Sequence, residues 1–180
     1  MINKIIIFIF IFTINFTYSQ KATLNPCSSY TPNAKFDKFV GNWKWQNGND
    51  SFEIVIKKDK IYSPFSSNLE CQDILYGFHK LVKNNNIIEN SIQNQSIVFN
   101  GEKNTFYCAG YFINDYTIKG MIKNSSIKNS FDIELEYIDT NHIKIISIKR
   151  KPGIMFYLNN ADMPTSDVTN IPQNIILTKQ

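Results

Sequence analysis

From Gly41 onward apolar and polar side chains alternate with a period of two, the rhythm of a half-buried strand and not the spacing of a helix. Gly41 to Gln46 sets Trp43 and Trp45 against Asn42, Lys44 and Gln46. After Asn47-Gly48, two residues tolerant of positive φ, Ser51 to Lys58 sets Phe52, Ile54 and Ile56 against Ser51, Glu53 and Lys57. This pattern predicts a hairpin. A second hairpin is expected from Asp73 to Lys83, a polar turn at Asn84 to Asn86, and Ile87 to Ser91. Further strands are expected over Ser96 to Asn100, Thr105 to Ile113, Thr117 to Lys123, Ser130 to Ile138, His142 to Lys149 and Asn174 to Lys179. No window of helix length combines helical apolar spacing with capping signals at both ends. About eight to ten short strands broken by Asn, Gly and Asp turns predict an all-β domain, either a closed antiparallel barrel or a β-sandwich.

The first 19 residues follow a different rule. Lys4 precedes an unbroken apolar run from Ile5 to Phe12, and Thr17-Tyr18-Ser19 offers small residues before a cut at Gln20. The run is shorter than the ~18 to 20 residues that cross a bilayer, and Thr13 and Asn15 dilute it. A cleaved export signal over residues 1–19 is therefore expected, with a secreted or periplasmic product and no stable membrane anchor. Residues 20–37 read as a polar arm and residues 38–180 as one β domain. Arg150 to Pro172 is the longest stretch without a pattern: Ile154 to Leu158 suits a short strand, and Asn159 to Pro172 suits a surface loop.

Composition removes some function classes. The formal net charge is +4, and the basic residues are scattered singly or in pairs such as Lys57-Lys58. Nucleic-acid binding needs a clustered stripe, so none is expected. Neither His79 nor His142 pairs with Cys or carboxylates at metal-ligand spacing, so no metal or other cofactor is expected. His79, in a strand, reads as a cross-strand hydrogen-bonding residue, and His142 as an exposed turn residue. Asp132, Glu134 and Glu136 share the strand face opposite Phe131, Ile133, Leu135 and Tyr137, the pattern of a solvated sheet exterior. Of the three cysteines, Cys71 and Cys108 border or lie in expected strands, whereas Cys27 lies in the arm. The preferred pairing is Cys71 with Cys108, leaving Cys27 free. The alternative is that no bridge forms and the inner two are small buried hydrophobes.

At Gly41-x-Trp43 the chain resembles the start of lipocalin-type barrels, where a Trp on the first strand closes one end. Asn114-Asp115-Tyr116 is similar to the Thr-Asp-Tyr of the second lipocalin motif, although Lys119 stands where that motif has a Tyr. The resemblance implies that Arg150, the only arginine, packs near Trp43 or Trp45. Four segments together resemble a family of short secreted proteins from Bacteroidetes-type bacteria labelled only as a domain of unknown function: Gly41-x-Trp43-x-Trp45, Phe52-x-Ile54-x-Ile56-Lys57-Lys58, Asp73-Ile74-Leu75-x-Gly77-Phe78-His79-Lys80, and Ile171-Pro172-x-x-Ile175-Ile176-Leu177-Thr178-Lys179-Gln180. That resemblance implies no activity or catalytic residue.

Two function classes follow. One is non-enzymatic binding of a small apolar ligand among the rings of Tyr76, Phe78, Phe106, Tyr107 and Phe112, in the interior or mouth of a barrel. The other is an extracytoplasmic module that meets a protein or glycan through exposed aromatics and a sheet edge; its protein partner is unknown. An enzymatic role would require a polar constellation that linear order hides. The expected fold is a lipocalin-like antiparallel barrel, and the expected protein is not an enzyme.

Overall fold

The computed structural model describes residues 27–62, 70–110, 112–150 and 168–180. The expected leader at 1–19 and the short strand at Ile154 to Leu158 lie outside them. The strands are β1 (Gly41–Asn47), β2 (Asp50–Tyr62), β3 (Cys71–Lys83), β4 (Asn86–Asn90), β5 (Phe106–Cys108), β6 (Phe112–Asn114), β7 (Thr117–Asn124), β8 (Asn129–Asp139), β9 (His142–Arg150) and β10 (Ile175–Lys179). Eight of them close an antiparallel barrel. β1, β2, β3, β5, β7, β8 and β9 each pair with the next strand in that series, and β10 joins β9 to β1. β4 leans on the end of β3, and β6 on the start of β7.

Alternation becomes topology through register. Trp43 sits opposite Ile54, and Ile54 opposite His79. Phe106 sits opposite both Gly77 and Ile122, and Ile122 opposite Phe131, so each inward residue meets another inward residue on both sides. Trp43, Phe52, Phe106, Phe131 and the aliphatic residues between them form one continuous interior cluster, each ring at most 1% exposed. At 25 cal/mol per Å2 of buried apolar area, each such ring contributes on the order of 2 to 3 kcal/mol.

One end of the barrel is closed by a 3-10 helix over Ala34–Phe39, begun by Asn33, whose side chain accepts from Lys35 N. Phe36 and Phe39 turn inward, and Trp43 Nε1 donates to Phe39 O at 2.9 Å. The helix runs across the boundary expected at residue 37, so the arm forms part of the barrel. Gly41, at the start of β1, has φ +149°, and a Cβ there would stand 2.8 Å from Lys179 Cε. Only glycine holds that backbone while leaving room for the lysine.

The arm is also bonded, which corrects the expected disulfide. Cys27 pairs with Cys71, and Cys108 is buried, its Sγ donating to Lys119 O at 3.3 Å. β3 and β5 are adjacent, but Leu75, four residues beyond Cys71, is the residue opposite Cys108. At about 3.3 Å per residue this puts the two cysteines beyond disulfide reach. Cys71 N instead donates to Ser29 O at 2.9 Å, bringing Cys27 alongside. Buried Asp73 fastens the same arm, accepting from Tyr30 Oη and Asn33 N, both at 2.7 Å.

Two expected strands differ. Thr105 to Ile113 is interrupted after Cys108 and resumes as β6. Ser96 to Asn100 alternates as expected but forms no strand, because the flank of β3 is already taken by β4 and β5 and no ladder partner remains. Its inward residue Phe99 packs over the outside of β3 instead.

Candidate functional site

The five rings named from the sequence do not line one chamber. Phe106 is in the barrel interior, and Phe112 stacks on Phe36 with centroids 5.1 Å apart at the helix-closed end. Tyr76 and Phe78 face outward from β3 together with Ile74, and form a second apolar cluster with Ile61, Ile92, Phe99 and Tyr107. This external core exists because residues 91–105 fold back across the wall. Tyr76 meets Phe99 edge-on at 5.8 Å, and Phe99 stacks on Tyr107 at 5.7 Å. Lys57 Nζ lies 5.6 Å from the Tyr76 ring and donates to Gln95 O at 3.0 Å, tying the flap down.

Beside this cluster an apolar groove of about 180 Å3 runs between the flap and the outer face of β7. Phe99, Thr105, Phe106, Tyr107, Met121 and Lys123 line it, with Met121 the cross-strand partner of Tyr107. Burial pushes the Tyr107 phenol up, with a smaller push from Cys108. A second depression of about 350 Å3 shares Tyr107 and Met121 and reaches Asp132, whose carboxylate accepts from Lys119 Nζ at 3.0 Å. The sequence reading identified Phe106 and Tyr107, which both line the groove, but missed Phe99 and Met121. The alternation Ile97-x-Phe99 was visible; that it faces the outside of β3 was not.

At the barrel end remote from the 3-10 helix, the fold assembles polar residues that are distant in sequence. Fully buried His79 places Nε2 3.0 Å from Glu89 Oε2 and Nδ1 2.8 Å from Thr105 Oγ1. Thr105 Oγ1 lies 3.0 Å from Ser91 Oγ, which accepts from His79 N and donates to His79 O. Ser125 N and Ser126 N donate to the two Glu89 oxygens at 3.1 and 3.3 Å. The surrounding hydrogen bonds also orient the Asn124 amide nitrogen toward Glu89. Burial pushes the Glu89 carboxyl up, but the His79 hydrogen bond and charge, with the Ser126 and Ser125 donors, outweigh it and hold the carboxyl below its ordinary range.

Glu89 therefore links pH to stability. A depressed folded-state value means that its contribution is present above the ordinary 4.5 and is lost as pH falls through the lower folded value. Glu89→Gln is expected to lose stability at neutral pH and to show a flatter acid decline than the wild type, measured by urea unfolding across the acid range. Parallel declines in the two proteins would refute the linkage.

The expected partner of the indole is corrected. Lys179 Nζ lies 5.2 Å from the Trp43 ring, while Arg150 is exposed at the other end of β9. Lys179 pairs with Trp43, and its neighbour Thr178 pairs with His142 at the start of β9. Arg150 is thus separated from Trp43 by nearly the whole strand, roughly 26 Å. Trp45 is half-buried at the edge of the main core. Asp132, Glu134 and Glu136 do face outward, with Lys149, Lys119 and Lys144 among their cross-strand neighbours. His142 Nδ1 lies 2.9 Å from Asp139 Oδ1 at the exposed β8–β9 turn. Among the described residues no His, Cys, Asp or Glu cluster could hold a metal ion, and no helix is long and apolar enough to cross a membrane.

Fold and surface together define a closed eight-stranded β-barrel with a side-chain-filled interior and an apolar groove on its outer wall. The chain belongs to the Family of unknown function (DUF6705), matched over residues 1–180. No curated protein and no solved structure is significantly similar to it.

Proposed function

We propose that this is an exported protein that binds a small aromatic or apolar molecule non-covalently in the outer groove of Phe99, Tyr107 and Met121. The observation that carries the reading is the groove itself, about 180 Å3 and apolar, flanked by two stacked rings and a polarizable thioether. An apolar site of ~150 Å3 accommodates benzene, which sets the size class. Side chains already occupy the barrel centre, so the outer wall is the better ligand site. Export is supported by the leader pattern at 1–19, by the resemblance to secreted Bacteroidetes-type proteins, and by a Cys27–Cys71 bridge suited to an oxidising compartment.

Titration with 2-naphthol, followed by amide chemical shifts, tests the reading. Shifts are expected at Phe99, Tyr107, Met121 and Lys123, with Kd on the order of 0.1–1 mM, weakened about tenfold or more in Met121→Asp. Saturable shifts confined to other surfaces would sink it.

The alternative, a protein- or glycan-interaction module, is favoured by β4. Among the described residues it pairs only with β3, and Ile87 is 60% exposed on it.

A further inference from the structure

We propose that Thr105 is the nucleophile of a hydrolytic site for small carboxylic esters, with His79 as its general base and Glu89 as the residue that positions the base. The inference rests on the outer groove as the place where the acyl or aryl group of the ester binds.

Proton assignment carries the argument. Both Glu89 oxygens accept backbone N–H groups, and the carboxylate also accepts from His79, so the Nε2 of His79 carries the proton. In the form able to act as a base, the neutral ring, Nδ1 is then an acceptor. Its partner is the Thr105 hydroxyl, 2.8 Å away. Thr105 Oγ1 itself accepts from His79 N at 3.2 Å and lies 3.0 Å from Ser91 Oγ, whose own proton goes to His79 O, so no other donor serves Nδ1. The Thr105 proton is therefore directed at the imidazole, giving carboxylate, imidazole and hydroxyl in sequence. That is the nucleophile, base and orienting group of acyl transfer.

Position supports chemistry. Thr105 lines the apolar groove and also a polar pocket of about 290 Å3 bounded by Ile88, Glu89, Ser91 and Ser125. An ester across Thr105 would rest its apolar group on Phe99 and Tyr107, with its alcohol toward the polar side. Thr105 Oγ attacks the carbonyl carbon while its proton passes to His79 Nδ1. The bond from carbonyl carbon to alcohol oxygen then breaks, and His79 returns the proton to the leaving oxygen. Water, deprotonated by His79 in turn, attacks the acyl carbon; the bond from that carbon to Thr105 Oγ breaks, His79 returns the proton to Thr105 Oγ, and the carboxylic acid leaves. Lys123, whose Nζ donates to Gly101 O at 2.5 Å on the groove wall, is the cation that would turn to the tetrahedral oxyanion.

The test uses the full chain with p-nitrophenyl acetate and butyrate. Nitrophenolate release above the buffer rate is expected, with a mass increase of one acyl group on the peptide containing Thr105. Thr105→Val should reduce release by about 100-fold or more, and Thr105→Ser, which keeps the hydroxyl, should retain it whether or not the valine variant folds. Glu89→Gln should lower kcat at least about tenfold with KM within about twofold, a split that a purely structural role would not produce. Release absent from the wild type, unchanged in Thr105→Val, or accompanied by acylation only of lysines would overturn the proposal. Naphthol binding that persists without turnover would overturn the hydrolytic step and leave the groove reading intact.

Discussion

Gly77→Ala is expected to cost more than about 3 kcal/mol, enough to remove a large part of the ~5 to 15 kcal/mol that holds a typical domain folded. A Cβ at Gly77 would stand 2.3 Å from Val55 O and 3.3 Å from Val55 C. Those atoms belong to the backbone of β2, so no rotamer change relieves the clash. Gly77 is the residue opposite both Ile56 and Phe106, at the point where β3 is shared between β2 and the short β5. Relief would require β2 to separate from β3 at the point where the barrel closes. Gly101→Ala is the control: nothing lies within 4 Å of its Cβ position, and its change is expected within about 0.5 kcal/mol. Urea unfolding of the two variants checks the contrast, and equal stabilities would refute the close-approach argument.

The Cys27→Ser, Cys71→Ser double variant is expected to lose about 4 kcal/mol, from the loop entropy of a cross-link spanning 44 residues. The loss has a specific structural site. Tyr30 Oη and Asn33 N satisfy the buried Asp73 carboxylate only while the arm lies against β3, and the bridge keeps it there. The hydrogen bond to Asp73 also raises the Tyr30 phenol, with a smaller effect of burial. Wild type in reductant should match the double variant, and the double variant should be insensitive to reductant. A loss under about 1 kcal/mol would mean that the Asp73 contacts and inward Phe36 and Phe39 hold the arm by themselves.

How far the sequence was legible varies from element to element. The Trp43–Ile54 hairpin and the Phe131-to-Tyr137 strand were legible because each inward residue lies two positions from the next, so the burial decision is local. That the arm turns two rings inward was not legible. Its two inward rings, Phe36 and Phe39, are three apart in a 3-10 turn, too short a segment to show a helical period. Cys108 was chosen as a bridge partner because strand location is local information, whereas strand offset is not.

The candidate site was even less legible. His79 was correctly read as a hydrogen-bonding strand residue, yet its partners are 10 and 26 residues away, on β4 and just before β5. Glu89 sits in Ile87 to Ser91 among Asn, Ser and Ile with no motif around it, and a carboxylate capping a remote 3-10 turn at Ser125 leaves no periodic trace. Phe99 and Met121, which flank the groove, are not adjacent in any strand register.

The chain by itself determined that it would form antiparallel strands and, in strands with one apolar face such as β1, β2 and β8, which side chains would turn inward. Those properties depend on the pleat, which assigns each residue a face from its immediate neighbours. Tertiary structure alone decided which cysteine meets Cys71, which cation covers Trp43, which side chains share the interior cluster, and that a carboxylate, an imidazole and a hydroxyl converge beside an outer groove. Each of these depends on how far strands slide past one another and how the barrel closes, quantities set by packing over the whole molecule.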